Sequence, residues 1–108
     1  MKLFCFGFGQ VAQSFVDHLL NFNVDLRLTT TSRKNTSELT FKNLKYFNYE
    51  FNENDFDKDL INPLQESDHI LISIPPINGK DMFIERLVNN NLNLQNLKWL
   101  TYLSSTSV

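Results

Sequence analysis

Lys2-Leu3-Phe4-Cys5-Phe6-Gly7-Phe8-Gly9-Gln10-Val11-Ala12 is the stretch that decides the fold class of this 108-residue chain. Its opening residues form a short, nearly continuous apolar run, the pattern of a central parallel strand covered on both faces. The run ends at glycine. Over residues 10–22, Val11, Phe15, Leu19 and Phe22 then recur at helical spacing, opposite Gln13, Ser14, Asp17, His18 and Asn21. A strand that passes through glycines into an amphipathic helix presents backbone N–H groups at a helix N-terminus, where the aligned peptide dipoles add partial positive charge. In such a loop Gly7 permits the tight turn, Gly9 lets a pyrophosphate approach the backbone, and Ala12 lets the helix pack close to the sheet. Gln10 and Val11 complete the loop. The alternative is a strand-to-helix turn whose two glycines only reverse the chain.

Working outward, residues 24–30 read as a second strand with partial alternation, closing a βαβ unit of about 30 residues. Residues 32–42 are polar and form either a short helix or an irregular connection. Residues 44–51 alternate aromatic and polar side chains as a third strand. Residues 55–65 begin acidic and read as a short crossover helix disturbed by Pro63. The run at residues 69–74, stopped by Pro75-Pro76, is a buried fourth strand. Residues 81–90 carry a last helical stripe, and residues 99–103 a fifth strand that leads into the Ser/Thr-rich residues 104–107. This alternation predicts a single α/β domain over residues 1–108. The expected form is a Rossmann-type parallel sheet of about five strands in the order 3-2-1-4-5, flanked by helices and lacking the C-terminal part of such folds.

Composition narrows the function classes. A formal charge of −2 provides no general attraction to nucleic acid or to an anionic membrane. No run approaches the ~20 apolar residues of a membrane-spanning helix. One cysteine, Cys5, has neither a disulfide partner nor zinc-site spacing, which fits a cytoplasmic setting. No metal site is expected: Asp55, Asp57 and Asp59 lack the glycine and closing glutamate of a calcium loop and read as a solvated helix start. His18 and His69 read as surface histidines, and Cys5 as an inert small hydrophobe in the first strand. Tyr49 and Phe51 either flank an adenine ring or pack in the core.

The end of the second strand speaks to the cofactor. A loop specific for NAD is expected to be followed, about 20 residues on, by a carboxylate for the ribose 2′-hydroxyl. The sequence has Thr30-Thr31-Ser32-Arg33-Lys34 there instead. Hydroxyls at Thr31 and Ser32 with the Arg33 guanidinium suit the 2′-phosphate of NADP, so NADP is expected over NAD. The alternative is that Arg33 and Lys34 are two solvated loop charges.

Gly7-Phe8-Gly9-Gln10-Val11-Ala12, Thr30-Thr31-Ser32-Arg33, Ile72-Ser73-Ile74-Pro75-Pro76 and Tyr102-Leu103-Ser104-Ser105-Thr106-Ser107-Val108 together resemble the extended and atypical short-chain dehydrogenase/reductases. This superfamily contains the NAD-dependent epimerase/dehydratases. The resemblance spans the chain and implies that Pro75 lies among the cofactor-binding positions. It also implies that Ser105 matches the catalytic Ser/Thr, whose hydroxyl meets the substrate oxygen. In that family a tyrosine activated by a lysine four residues later transfers the proton. Here Tyr46, Tyr49 and Tyr102 are followed at that spacing by Glu50, Glu53 and Thr106. The acid/base pair is missing. The phosphate loop also departs from the family's commoner GxxGxxG. The expectation is an NADP-binding domain shortened before its catalytic residues and inactive alone, or else an NADP-sensing or partner-binding module without catalysis. The aromatic edge at residues 99–102 is then either a liability for aggregation or a site for association, and the partners expected besides the nucleotide are a second copy or a complementing C-terminal polypeptide.

Overall fold

Alternating apolar segments assemble into one mixed sheet of six strands in the order β3-β4-β2-β1-β5-β6. The computed structural model describes residues 1–22, 25–52, 56–73 and 95–102. Its strands are β1 (Lys2–Phe6), β2 (Arg27–Ser32), β3 (Ser37–Phe41), β4 (Leu44–Glu50), β5 (His69–Ile72) and β6 (Trp99–Tyr102). The described helices are α1 (Gln10–Asn21) and the five-residue α2 (Ile61–Gln65), the latter entered through a 3-10 turn at Lys58–Leu60. β1 is central, pairing in parallel with β2 from Lys2↔Arg27 to Phe6↔Thr31 and with β5 from Leu3↔His69 to Phe6↔Ile72. Full burial explains its unbroken apolar sequence: Leu3, Phe4, Cys5 and Phe6 are all inside the protein.

The sheet differs from the expected five-stranded 3-2-1-4-5 arrangement in strand count and in order, and β3 is the source of both differences. Residues 37–41, expected as a short helix or irregular connection, instead form an antiparallel edge strand on β4, from Ser37↔Asn48 to Phe41↔Leu44. The connection is the two-residue turn Lys42-Asn43, with φ of 48° and 69°. Positive φ at both central residues matches the right-handed twist of a hairpin, as in type I′ turns. Inside that edge, β4-β2-β1-β5-β6 adjoin one another, and each of those pairings is parallel.

Two apolar layers cover the sheet. On one face Leu3, Cys5, Leu28 and Leu71 pack with Ala12 and Val16 of α1. On the other, Phe4, Phe6, Ile70 and Ile72 pack with Phe51, Leu60 and Leu64. The two clusters thus place α1 on one face and the 3-10 turn with α2 on the other. The buried stripe of α1 is offset from the sequence reading: Ala12 and Val16 face the sheet, while Val11 and Phe22 are 60% and 68% exposed. Ala12 brings the helix axis close, and Val11 lies on the first turn with its side chain turned to the surface. Asp57 caps the 3-10 turn by accepting the Asp59 N–H, so the acidic start there is a helix cap. Pro63 stands in the first turn of α2, where its missing N–H costs no helical bond.

Among the described residues, no helix is long and apolar enough to cross a membrane. The expected helix at residues 81–90 lies outside the described residues, as do Pro75 and Ser105.

Candidate functional site

The glycine loop leaves the C-terminal end of β1, next to the C-terminal ends of β2 and β5. Gly7 has φ 84°, a conformation strongly disfavoured for residues bearing a Cβ. Two side chains fix its peptides. Thr31 on β2, wholly buried, accepts the Gly7 N–H at 3.2 Å. From the opposite neighbour, the Ser73 hydroxyl lies 3.1 Å from the Phe6 carbonyl and 3.2 Å from that of Gly7, donating to this pair. The Ser73 N–H also reaches the Phe6 carbonyl, so the parallel ladder extends one residue past β5.

Phe8 anchors the next position. Its ring packs with Phe41 and Tyr46, both at 5.4 Å between centroids, and its carbonyl accepts the Gln13 side-chain amide at 3.0 Å. The residue between the glycines is therefore a hydrophobic pin. Sequence reasoning missed Phe8, Gln13 and Ser73 as loop-holding residues, because their partners lie in tertiary rather than sequence proximity.

Gly9 is the N-cap residue of α1, with φ −80° and ψ −170°. This conformation suits any residue. A Cβ built there meets nothing within 4 Å. Neither backbone conformation nor crowding by the described residues thus calls for glycine at position 9. What its lack of a side chain does is leave the mouth of α1 open. No side chain caps the helix and no acidic residue stands in its first turn. The Gln13 N–H bonds back to the Gly9 carbonyl, so the earlier amides of Gln10, Val11 and Ala12 lie in the unpaired first turn. Gln10 and Val11 have exposed side chains at this mouth, whereas Ala12 is buried against the sheet.

β2 runs on to Ser32, so Thr31 and Ser32 are strand residues rather than part of the following loop. Thr31 serves Gly7, as described. The Ser32 hydroxyl accepts the Asn48 amide at 2.9 Å and the Lys34 N–H at 3.2 Å. A further bond, from the Thr30 hydroxyl to Asn48 Oδ1 at 2.8 Å, completes a polar chain across β2 and β4. This chain orients the turn that carries Arg33 and Lys34, whose side chains are exposed just beyond the sheet. The structure brings Gly7, Gly9, Gln10, Val11, Ala12, Thr31, Ser32 and Arg33 to the C-terminal edge of the sheet, where β1 and β2 end. No carboxylate ends β2.

Aromatic residues near this edge divide by burial. Phe51 is a core residue packed edge-on to Phe6 at 5.7 Å, which removes it from the surface that an adenine would reach. Tyr49 is half-buried, and burial with the nearby Asp57 and Asp59 raises its phenol pKa. Tyr46 is likewise raised by burial. Both stay protonated at neutral pH and neither is poised as a base. Cys5 is buried with its thiol pKa pushed up to about 12 by desolvation, an inert core position.

His69 corrects the sequence reading. It is not a surface histidine but a buried one, 8% exposed, at the start of β5. No group of three or more His, Cys, Asp or Glu side chains among the described residues could hold a metal ion. A shallow cavity of about 300 Å³, lined by Leu26, Leu28, Glu38, Lys45, Tyr46 and Phe47 among others, lies toward the start of β2 and includes none of the glycine-loop residues in its lining.

No family model and no curated protein matches this chain. Any ligand assignment therefore rests on the chemistry of the site itself.

Proposed function

We propose that this chain is a Rossmann-type dinucleotide-binding domain that takes NADP at the loop Gly7–Ala12, in the manner of the N-terminal half of an extended short-chain dehydrogenase/reductase. The observation that carries the reading is Gly9. It is a glycine that the described fold does not require, at the open mouth of an uncapped 12-residue helix. The ligand suited to such a mouth is an anion that accepts the first-turn N–H groups, for which a pyrophosphate has the charge and the shape. Thr31, Ser73, Gln13 and Phe8 hold the loop before a ligand arrives, which lowers the ordering cost of binding.

The turn after β2 selects the nucleotide. Without a carboxylate to pair with a ribose 2′-hydroxyl, and with Arg33 and Lys34 at its tip, it favours the 2′-phosphate of NADP by charge-assisted hydrogen bonding. The 108 residues contain no Tyr-x-x-x-Lys pair, so the reading is of binding without proton transfer by this chain alone. A complementing C-terminal polypeptide or a second copy would be the partner through which binding acquires a use.

Thermal denaturation in the presence of each nucleotide tests the proposal. At equal concentration NADP is expected to raise the melting temperature more than NAD does, because stabilisation grows with the ratio of ligand to Kd and reaches about 2.7 kcal/mol at 100 times Kd. Arg33→Ala is expected to cut the NADP effect and leave that of NAD in place. Equal responses of the variant and the parent to both nucleotides would remove Arg33 from the site, and no response to either would remove the site.

A further inference from the structure

At the opposite end of the strands from the glycine loop, β5 and β6 are joined by an imidazole. His69 Nε2 lies 3.0 Å from the Thr101 hydroxyl, and Nδ1 is buried with no hydrogen-bond partner among the described residues. The ring meets Phe15 of α1 edge-on at 5.7 Å and lies 6.1 Å from Trp99 of β6. A neutral imidazole tolerates this setting, because its unpaired nitrogen can be a bare lone pair while Nε2–H donates to Thr101. A protonated one does not. It would hold a charged N–H inside the protein without an acceptor.

Among the described residues, no acceptor faces Nδ1. On α1 the contact residue is Phe15, with Asp17 paired instead to Lys42 at 2.7 Å and His18 edge-on to Phe22. The paired position on β1 is Leu3. From β6 the ring meets Thr101 and Trp99. The carboxylate that precedes it in the chain, Asp68, accepts the Lys2 N–H at 2.9 Å and is further held low by Lys98, the N-terminal amine and Lys2. Burial alone lowers the His69 pKa below its ordinary value.

β6 also has less to lose than its neighbours by moving. Trp99 and Leu100 are 61% and 58% exposed, so releasing the strand sacrifices little burial there, whereas the core lies under β1, β2 and β5. We propose that His69 is an acid-sensitive latch on the β5–β6 pair: neutral, it holds β6 through Thr101, and protonated by solvent it lets β6 go while the remaining sheet stays folded. The latch is independent of nucleotide binding and would couple any association through the β6 edge to pH.

Amide hydrogen exchange of the full chain, expressed as protection factors at pH 7.5 and 5.5, tests this, with emission from Trp99, the single tryptophan, as a second readout. An open state whose histidine titrates near the ordinary 6.5 gains population at pH 5.5, by up to about tenfold as the closed-state pKa is lowered further. Protection of residues 99–102 should fall severalfold, up to that limit, in the parent while β1, β2 and β4 keep theirs. His69→Gln should abolish the fall, and His18→Gln should leave it intact. Thr101→Val, which preserves strand shape, should lower β6 protection already at pH 7.5. Unchanged protection of β6 in acid, an equal loss in every strand, or a fall that persists in His69→Gln would overturn the latch.

Discussion

At the residue scale, the same amino acid does different work at positions 7 and 9. Gly7 is required by its φ of 84°, so Gly7→Ala should destabilise the fold by about 1–2 kcal/mol, read from urea unfolding. Gly9 carries no such demand. Cys5 is equally definite: with its thiol buried and its pKa raised to about 12, it should not react with a thiol reagent at pH 8 until the chain unfolds. A native-state reaction at the rate of a free thiol would contradict the placement of β1. Gly7 and Cys5 were legible in the sequence because their roles follow from local context: a glycine after a strand, a cysteine inside an apolar run. Thr31, Ser73 and His69 were not. Thr31 and Ser73 owe their roles to Gly7 and Phe6, reached only across the sheet, and a histidine opening an apolar strand looks the same in sequence whether the next strand covers it or not.

At the scale of elements, strands β1, β2, β4, β5 and β6 and helix α1 follow from periodicity, and they were legible for that reason. β3 escaped because it is an edge strand with little to bury. Ser37, Glu38, Leu39 and Thr40 are all exposed, so no apolar alternation marks them, and the turn Lys42-Asn43 lacks the glycine that usually signals a tight hairpin. Lys42 reaches Asp17 of α1 at 2.7 Å, an exposed ion pair worth little by itself. The turn is therefore the weak point of the hairpin. Asn43→Val, placing a β-branched residue at φ 69°, should cost about 1–2 kcal/mol in urea unfolding. An unchanged midpoint would mean that the hairpin is not formed. The offset stripe of α1 has a similar origin, since Ala12 contributes little to a hydrophobic pattern yet sets how closely the helix can approach β1.

At the scale of the whole molecule, two lowered pKa values give stability a direction in pH. His69 is held below its ordinary 6.5 by burial. Its contribution is complete above the unfolded value and is lost as pH falls through the folded one. Asp68, lowered chiefly by the Lys2 N–H, behaves likewise below its ordinary 3.8. The urea midpoint should therefore decline from pH 7 toward pH 5 in the parent and decline less in His69→Gln. A midpoint that rises over this range would contradict the His69 assignment.

The proposed nucleotide site belongs to the same scale, because side chains at the ends of both neighbours of β1 hold the loop at the open mouth of α1. Gly9→Asp separates fold from function, because the two predict opposite signs. An aspartate at this N-cap accepts first-turn N–H groups and places negative charge at the helix's positive end, which should hold or raise stability by a few tenths to about 1 kcal/mol. The same carboxylate occupies and repels from the phosphate position. Calorimetric titration with NADP should then show binding by the parent and none by Gly9→Asp, with the melting temperature of the variant equal or higher. Undiminished NADP binding by a folded Gly9→Asp, or no binding by the parent, would contradict the account.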